Sequence, residues 1–350
     1  TLGRAMLVGL IGAVVIFLLQ VPFATVAFPL MNIEGEQLAL VERYFYIRIW
    51  DAPATLGLFA MMGWFFGMQN AVYPMVLTIA INWVNIVVSY VLIYSYGMDI
   101  EGVAWGTVIA QYFGLLLAVG LFAFRYRKLW THLSKKALLE VEAFKSFLNI
   151  NSDIFIRTLC LTFAFGFFYS QSAKGGDMVL AVNVILLQFV NWMAHAVDGF
   201  AFASESLVGK YKGANKPDEL RQTILLNFAW GMGFAVLFSL IYALRGEYLL
   251  SFFTNQADVF NAALPYLFWV VILPLLSTPC FIWDGVFIGL TASKSLKNAM
   301  LLSLAFYLVV FYTFDMGSSN DLLWLSLLTL MVVRGVIQTG YYWWFGNEMR

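Results

Sequence analysis

Eight charged residues sit inside long apolar stretches of this chain: Arg48, Asp51, Asp153, Arg157, Asp198, Glu205, Asp284 and Arg334. A charge at the centre of a membrane helix costs roughly 2.5–3.5 kcal/mol on the insertion scale, so each of these marks either a function or a compensating partner. Arg48 and Asp51 are spaced i,i+3 and Asp153 and Arg157 i,i+4, so each couple can pair on one helix face. Arg334 has no charged neighbour in sequence, and its counter-ion must come from another helix, with Asp153, Asp198 and Asp284 as candidates. Gln188, Asn191, His195, Asp198 and Glu205 fall within about a 100° arc of one helix. Such a stripe must face protein or water, because lipid offers no partners. If the acids converge, mutual repulsion and desolvation favour binding a proton or Na⁺, and His195 adds a group able to titrate near neutral pH. The bland readings stand beside these: local ion pairs, a hydrogen-bonded packing histidine, and solvation of Glu205 near an interface.

These residues are set in a chain of 350, of which 62% is hydrophobic, 18% aromatic and 11% charged. A soluble domain is about 25% charged, so the composition excludes a soluble enzyme, a disordered protein and a nucleic-acid binder. Lys and Arg balance Asp and Glu at 20 each, so net charge says nothing about partners. Cys160 and Cys280 lie in apolar runs and read as small core residues. No phosphate loop, HExxH, paired-cysteine motif or nucleophile elbow occurs. The chain reads as a non-enzyme without bound cofactor or metal, with H⁺ or Na⁺ as its working ion.

About 20 mostly apolar residues span a bilayer. Ten stretches qualify or nearly do: about 7–30, 44–66, 71–97, 102–124, 149–171, 178–207, 223–244, 262–290, 297–314 and 322–345. With the N-terminus inside and the spans alternating, one side holds fourteen basic and five acidic residues, the other three basic and ten acidic. That asymmetry places the basic loops in the cytoplasm. Residues 125–148 form the longest basic connection, giving lobes 1–124, with four spans, and 149–350, with six. Between the second and eighth spans Tyr44, Pro53, Gly63 and Gly67 recur as Tyr266, Pro274, Gly285 and Gly289, with Tyr and first Gly 19 apart in both (63 − 44, 285 − 266). Paired halves with a site between them are a transporter pattern. By that repeat the first visible span is the third helix of its half. With the missing initial Met, this leads us to expect an incomplete N-terminus.

The same residues resemble the MATE (multidrug and toxic compound extrusion) family, in its DinF (damage-inducible) branch, along nearly the whole chain. The resemblance rests on Ile47-Arg48-Ile49-Trp50-Asp51-Ala52-Pro53 with Gly63-Trp64-Phe65-Phe66-Gly67, and on Asn82–Val87 with Gly102-Val103-Ala104-Trp105-Gly106-Thr107. It rests also on Asn151–Leu159, on Asp198-Gly199-Phe200-Ala201-Phe202-Ala203-Ser204-Glu205, on Asp284-Gly285-Val286-Phe287-Ile288-Gly289, and on Arg334-Gly335. It implies an all-α, twelve-helix, two-lobed exporter in a bacterial inner membrane, monomeric, driven by H⁺ or Na⁺ entry and acting on amphipathic organic cations. The chain departs from the family twice. The helix carrying the family's first-lobe Asp is not in this sequence. The fifth-helix pattern, which usually ends in Asp, here reads Asn85-Ile86-Val87-Val88-Ser89. Asn85 and Asp51 are therefore the first-lobe candidates, Asp51 as a substitute carboxylate. In the second lobe Asp198 and Asp284 are the expected carriers, tuned by Arg157 and Arg334, with Asp153, Glu205 and His195 beside them.

Three alternatives compete. A flippase for lipid-linked saccharides should carry several cavity Arg or Lys, yet the spans hold three arginines, no lysine and five acids. A channel should show a filter or charge ring, and none is apparent. An inactive fragment is the third.

Overall fold

A computed structural model describes residues 2–30, 36–132, 141–314 and 319–349. Glu34, Lys135, Lys136, Glu140, Asp315 and Arg350, counted above among the loop and tail charges, lie outside the described residues, as does most of the middle of the basic connection. Among the described residues every element is helical. In chain order the helices are α1 (Leu2–Leu30), α2 (Glu36–Arg48), α3 (Ala52–Gly67), α4 (Val72–Tyr94), α5 (Ile100–Tyr126), α6 (Val141–Lys174), α7 (Asp177–Gly213), α8 (Pro217–Leu250), α9 (Ala257–Ala263), α10 (Leu267–Gly289), α11 (Ser293–Thr313) and α12 (Ser319–Met349). Short 3-10 turns occupy Ile49–Asp51, Arg127–His132 and Leu264–Tyr266. The chain forms two compact units, Thr1–Phe144 and Lys145–Arg350.

Nine helical segments of the described residues are long and apolar enough to cross a bilayer. The remaining expected span, 44–66, is built in three pieces. α2 passes through the 3-10 turn at Ile49–Asp51 into α3, which is only 16 residues long. Pro53 supplies the cause: without an N–H it cannot bond the carbonyl four residues back, and the Ala52 N–H bonds Ile49 O in a tighter turn instead. The eighth span has a similar start, α9 joining α10 through a 3-10 turn that contains Pro265. α10 then runs on through Pro274 and Pro279. The Ser277 and Thr278 hydroxyls bond Leu273 O and Pro274 O, each at 2.7 Å.

The repeat read from four residues extends through both units at a shift of 222 (285 − 63). It carries α1 onto α8, α3 onto α10, α4 onto α11 and α5 onto α12. The helix ends agree bond for bond. α3 closes with Gln69 N–H on Phe66 O and Asn70 N–H on Phe65 O; α10 closes with Thr291 N–H on Ile288 O and Ala292 N–H on Phe287 O. In both, the residue after the cap is left-handed, Gln69 at φ 59° and Thr291 at φ 55°. This is the two-bond glycine-type cap, built here without glycine. Packing repeats as well: α1 lies on α3, α3 on α5 and α4 on α5 in one unit, α8 on α10, α10 on α12 and α11 on α12 in the other.

α6 and α7 have no counterpart at that shift. α7 is 37 residues long, about 55 Å, and packs along α10 and α8. Two glycines explain how close it comes. A Cβ on Gly285 would lie 2.0 Å from Ala201 O, and one on Gly289 would lie 2.7 Å from Glu205 O. α6 is attached differently, through side chains. Tyr307 hydroxyl donates to Ala164 O at 3.2 Å, and Phe167 and Phe168 meet Tyr307 and Trp324 edge to face. The core of this unit is one apolar cluster running from Cys160 to Tyr342. Cys160 and Cys280 are free and buried within it.

Candidate functional site

Within the second unit α6, α7, α10 and α12 enclose a cavity of about 370 Å³. Its polar lining is Arg157 from α6, Asn191, Asp198 and Glu205 from α7, Asp284 from α10 and Arg334 from α12. Phe165, Phe202, Phe281, Ile288 and Met331 supply apolar wall. The close approach of α7 to Gly285 and Gly289 is what brings Asp198 and Glu205 onto the same space as Asp284.

Asp284 is the most heavily engaged group. Its Oδ1 accepts from Gln338 Nε2 at 2.7 Å. Its Oδ2 accepts from Arg157 and lies 3.3 Å from an Arg334 guanidinium nitrogen. Of the three acids weighed as counter-ion for Arg334, the structure selects Asp284. Arg334 is 1% exposed, packs over the Phe281 ring at 5.6 Å and points one nitrogen at Met300 Sδ. Breaking such a buried pair by removing one partner costs about 3–5 kcal/mol, since the other charge stays buried. Asp198 and Glu205, in contrast, have neither a hydrogen bond nor an ion pair among the described residues.

Three other expected residues lie elsewhere. Asp153 does not pair with Arg157 along α6, as the i,i+4 spacing allows. Its Oδ1 accepts from Lys297 Nζ at 2.5 Å and its Oδ2 from the Ser293 hydroxyl at 2.9 Å, so it ties α6 to the first two turns of α11. Arg157 is thereby free to reach Asp284. His195 is exposed and outside the cavity lining, its Nδ1 2.6 Å from Asn191 O one turn back. Gln188 also lies off the cavity, so only three of the five residues of the polar stripe face it. Gln338, a partner of Asp284, was missed by the sequence reading. Its position one turn beyond Arg334 on the same face was the available signal.

In the first unit Asn85 donates to Thr107 Oγ1 at 2.9 Å, joining α4 to α5. Ser89, standing where an acid was expected, is packed against α5. A Cβ on Gly106 would sit 2.1 Å from the Ser89 hydroxyl, and that buried hydroxyl has no partner. Asp51 is buried and bonds Arg48, as the i,i+3 spacing predicts.

No group of three or more His, Cys, Asp or Glu with metal-ligand geometry occurs among the described residues. What the cavity offers is carboxylate oxygens beside two guanidiniums.

The sequence pattern of the MatE family matches residues 1–91 and 154–313. The chain belongs to the MatE family. This MatE protein is 32% identical over 338 residues to the DNA damage-inducible protein F of Escherichia coli (strain K12), covering 96% of this chain and 73% of that one. It is 26% identical over 309 residues to protein DETOXIFICATION 44, chloroplastic, of Arabidopsis thaliana, spanning 84% of this chain and 55% of the relative. Its fold is like that of an outward-facing multidrug resistance MATE family transporter of the MOP superfamily (TM-score 0.86, 16% identity, 99% and 78% of the two chains). It is also like that of the Vibrio cholerae MATE transporter VcmN in its bent form (TM-score 0.82, 20% identity, 100% and 80%). The MatE protein is thus a multi-pass membrane efflux transporter and not an enzyme.

Proposed function

We propose that this protein exports amphipathic small molecules, cationic ones among them, in exchange for H⁺ or Na⁺ across a bacterial inner membrane, as a monomer with its basic loops in the cytoplasm. The observation that carries this reading is the pair of unpartnered acids, Asp198 and Glu205, beside the compensated Asp284 in one cavity. Asp198 and Glu205 are half-buried carboxylates without a partner among the described residues; partial desolvation of such a charge is costly, and a bound cation offsets that cost. Coupling requires that the cation bind two conformations unequally, and a site that swaps one charge meets that need. The lobes are residues 1–124 and 149–350, joined by the basic linker 125–148, and the shift of 222 that relates their helices supports that division. The apolar wall of Phe165, Phe202, Phe281 and Met331 suits loose recognition of varied substrates. In the first lobe Asn85 and Asp51 are the polar groups offered to a substrate or cation.

The test is efflux of a fluorescent organic cation from everted vesicles carrying the complete gene product, under an imposed pH gradient and then a Na⁺ gradient. Efflux that follows one gradient and is lost in Asp198→Asn supports the reading and names the ion. Efflux indifferent to both gradients, or unchanged in Asp198→Asn with the protein folded, refutes it. Transport of a lipid-linked saccharide in the same vesicles would favour a flippase.

A further inference from the structure

A groove of about 530 Å³ lies apart from the cavity described above, where the last turns of α8 meet the start of α10. Tyr242, Arg245, Glu247 and Tyr248 of α8 line it, with Leu267 and Phe268 of α10. Two opposite charges thus border one groove. Arg245 and Glu247 are both exposed, and neither side chain has a hydrogen bond or ion pair among the described residues. They do not neutralise each other, because residues two apart on a helix do not face one another.

The depth of the groove in the membrane says what can reach it. The apolar stretch 223–244 of α8 is about 33 Å long, against a hydrocarbon core of about 30 Å. Arg245 and Glu247 therefore emerge at the level of the lipid headgroups. Tyr248, Phe252 and Phe268, exposed by 62–63%, stand at the same end of the unit, as aromatic side chains do at a membrane interface. Leu237, Leu240, Ile241 and Leu244 are also exposed and follow at three- and four-residue steps. They form an apolar strip on one face of α8 that runs out of the bilayer and reaches Tyr248 at the groove.

From this placement we infer that the groove binds one phospholipid of the phosphatidylethanolamine type, with its phosphate on Arg245, its ammonium on Glu247 and an acyl chain along the Leu237–Leu244 strip. The charge pair selects the headgroup. A guanidinium matches phosphate oxygens. A primary ammonium donates N–H to a carboxylate, whereas the quaternary ammonium of phosphatidylcholine has no N–H to donate. Phosphatidylglycerol brings a phosphate but no cation for Glu247. The site goes beyond the exporter reading and does not depend on it, since it needs only that α8 spans the membrane.

The test is native mass spectrometry of the delipidated full-length protein in a non-ionic detergent, titrated with dioleoyl phosphatidylethanolamine, phosphatidylcholine or phosphatidylglycerol. The chains are the same in all three, so differences report the headgroup. Phosphatidylethanolamine is expected to bind about fivefold more tightly than phosphatidylcholine, the upper range for an exposed ion pair. Arg245→Gln should weaken it by about the same factor, and Glu247→Gln should bring the two lipids level. Arg245→Lys keeps the charge and should retain the order of preference. Lys174→Gln removes a positive charge from the same end of the unit, outside the groove, and should change nothing. Tm in the same detergent confirms that each variant is folded. Equal binding of the three lipids, phosphatidylglycerol ahead of phosphatidylethanolamine, a preference that survives Arg245→Gln and Glu247→Gln, or an equal loss in Lys174→Gln overturns the inference.

Discussion

Gly285→Ala tests whether the approach of α7 to α10 is what builds the cavity. The added Cβ would meet three backbone atoms, Ala201 O at 2.0 Å, Ala201 C at 2.7 Å and Ala201 Cα at 2.9 Å. None of these can rotate away. α7 must retreat by about 1 Å before the closest contact reaches tolerable separation, and Asp198 and Glu205 flank Ala201 within about one turn. Overpacking of this kind costs about 1–3 kcal/mol, against a helical gain of roughly 0.5–1 kcal/mol for replacing Gly by Ala. Each kcal/mol is about 2–4 °C in Tm for a unit of this size. The repeat supplies the control. Gly63 is the matching glycine of α3, and a Cβ there meets nothing within 4 Å. The assay is thermal unfolding in one detergent, followed by tryptophan emission. Gly285→Ala is expected to lower Tm by several degrees and Gly63→Ala to leave it level or raise it slightly. Equal shifts in the two, or an unchanged Tm in Gly285→Ala, would refute the packing argument.

Other expectations follow from single contacts. Thr291, a β-branched residue at φ 55°, carries about 1–2 kcal/mol of left-handed strain, so Thr291→Gly should raise Tm by a few degrees in the same assay. Asp153→Asn leaves Lys297 without its carboxylate, and the double variant Asp153→Asn with Lys297→Met should recover most of the lost Tm. A cycle showing no coupling energy between the two would count against the clamp. Asn183 accepts from Trp324 Nε1 at 2.9 Å and donates to Ser172 and Asn320, all buried. Asn183→Ala should cost about 1–3 kcal/mol per orphaned group and shift the tryptophan emission. The exposed Lys216–Glu219 pair, 2.9 Å apart, should contribute nothing measurable at physiological salt, and Lys216→Ala should unfold with the wild type.

The sequence was most legible where one rule acted alone. Apolar runs gave the spans, because bilayer thickness sets their length. Spaced glycines marked the repeat, although close helix approach demands glycine only at Gly285 and Gly289; at Gly63 and Gly67 a Cβ meets nothing within 4 Å. It was least legible where two elements compete for one group. Arg157 had a carboxylate one turn away at Asp153, and local spacing cannot reveal that Lys297 on α11 takes that carboxylate first. Lys297 itself read as a loop residue because α11 begins at Ser293, a turn earlier than its apolar stretch. The break at Ile49–Asp51 was hidden for a similar reason: Pro53 was visible, but proline is tolerated inside α10 at two places and not in the second span. Gln338 carries no charge and so escaped a search made by charge.

The matching caps on α3 and α10 have a bearing on how the two halves can diverge. Residues 65–70 and 287–292 close their helices with the same two backbone hydrogen bonds, and neither bond involves a side chain. The two cap bonds themselves ask only for a left-handed residue at Gln69 and Thr291, while the flanking side chains differ: Asn70 accepts from Tyr73 N–H and donates to the Tyr126 hydroxyl, and Leu290 is buried in the core. The left-handed residues themselves, Gln69 and Thr291, should therefore be exchangeable. Thr291→Gln would replace the β-branched residue without altering the turn. Drift at the joints is cheap under such a design, and the two halves are free to specialise in the helix faces between them, where one has kept Asp284 and the other has none at the matching position, Met62.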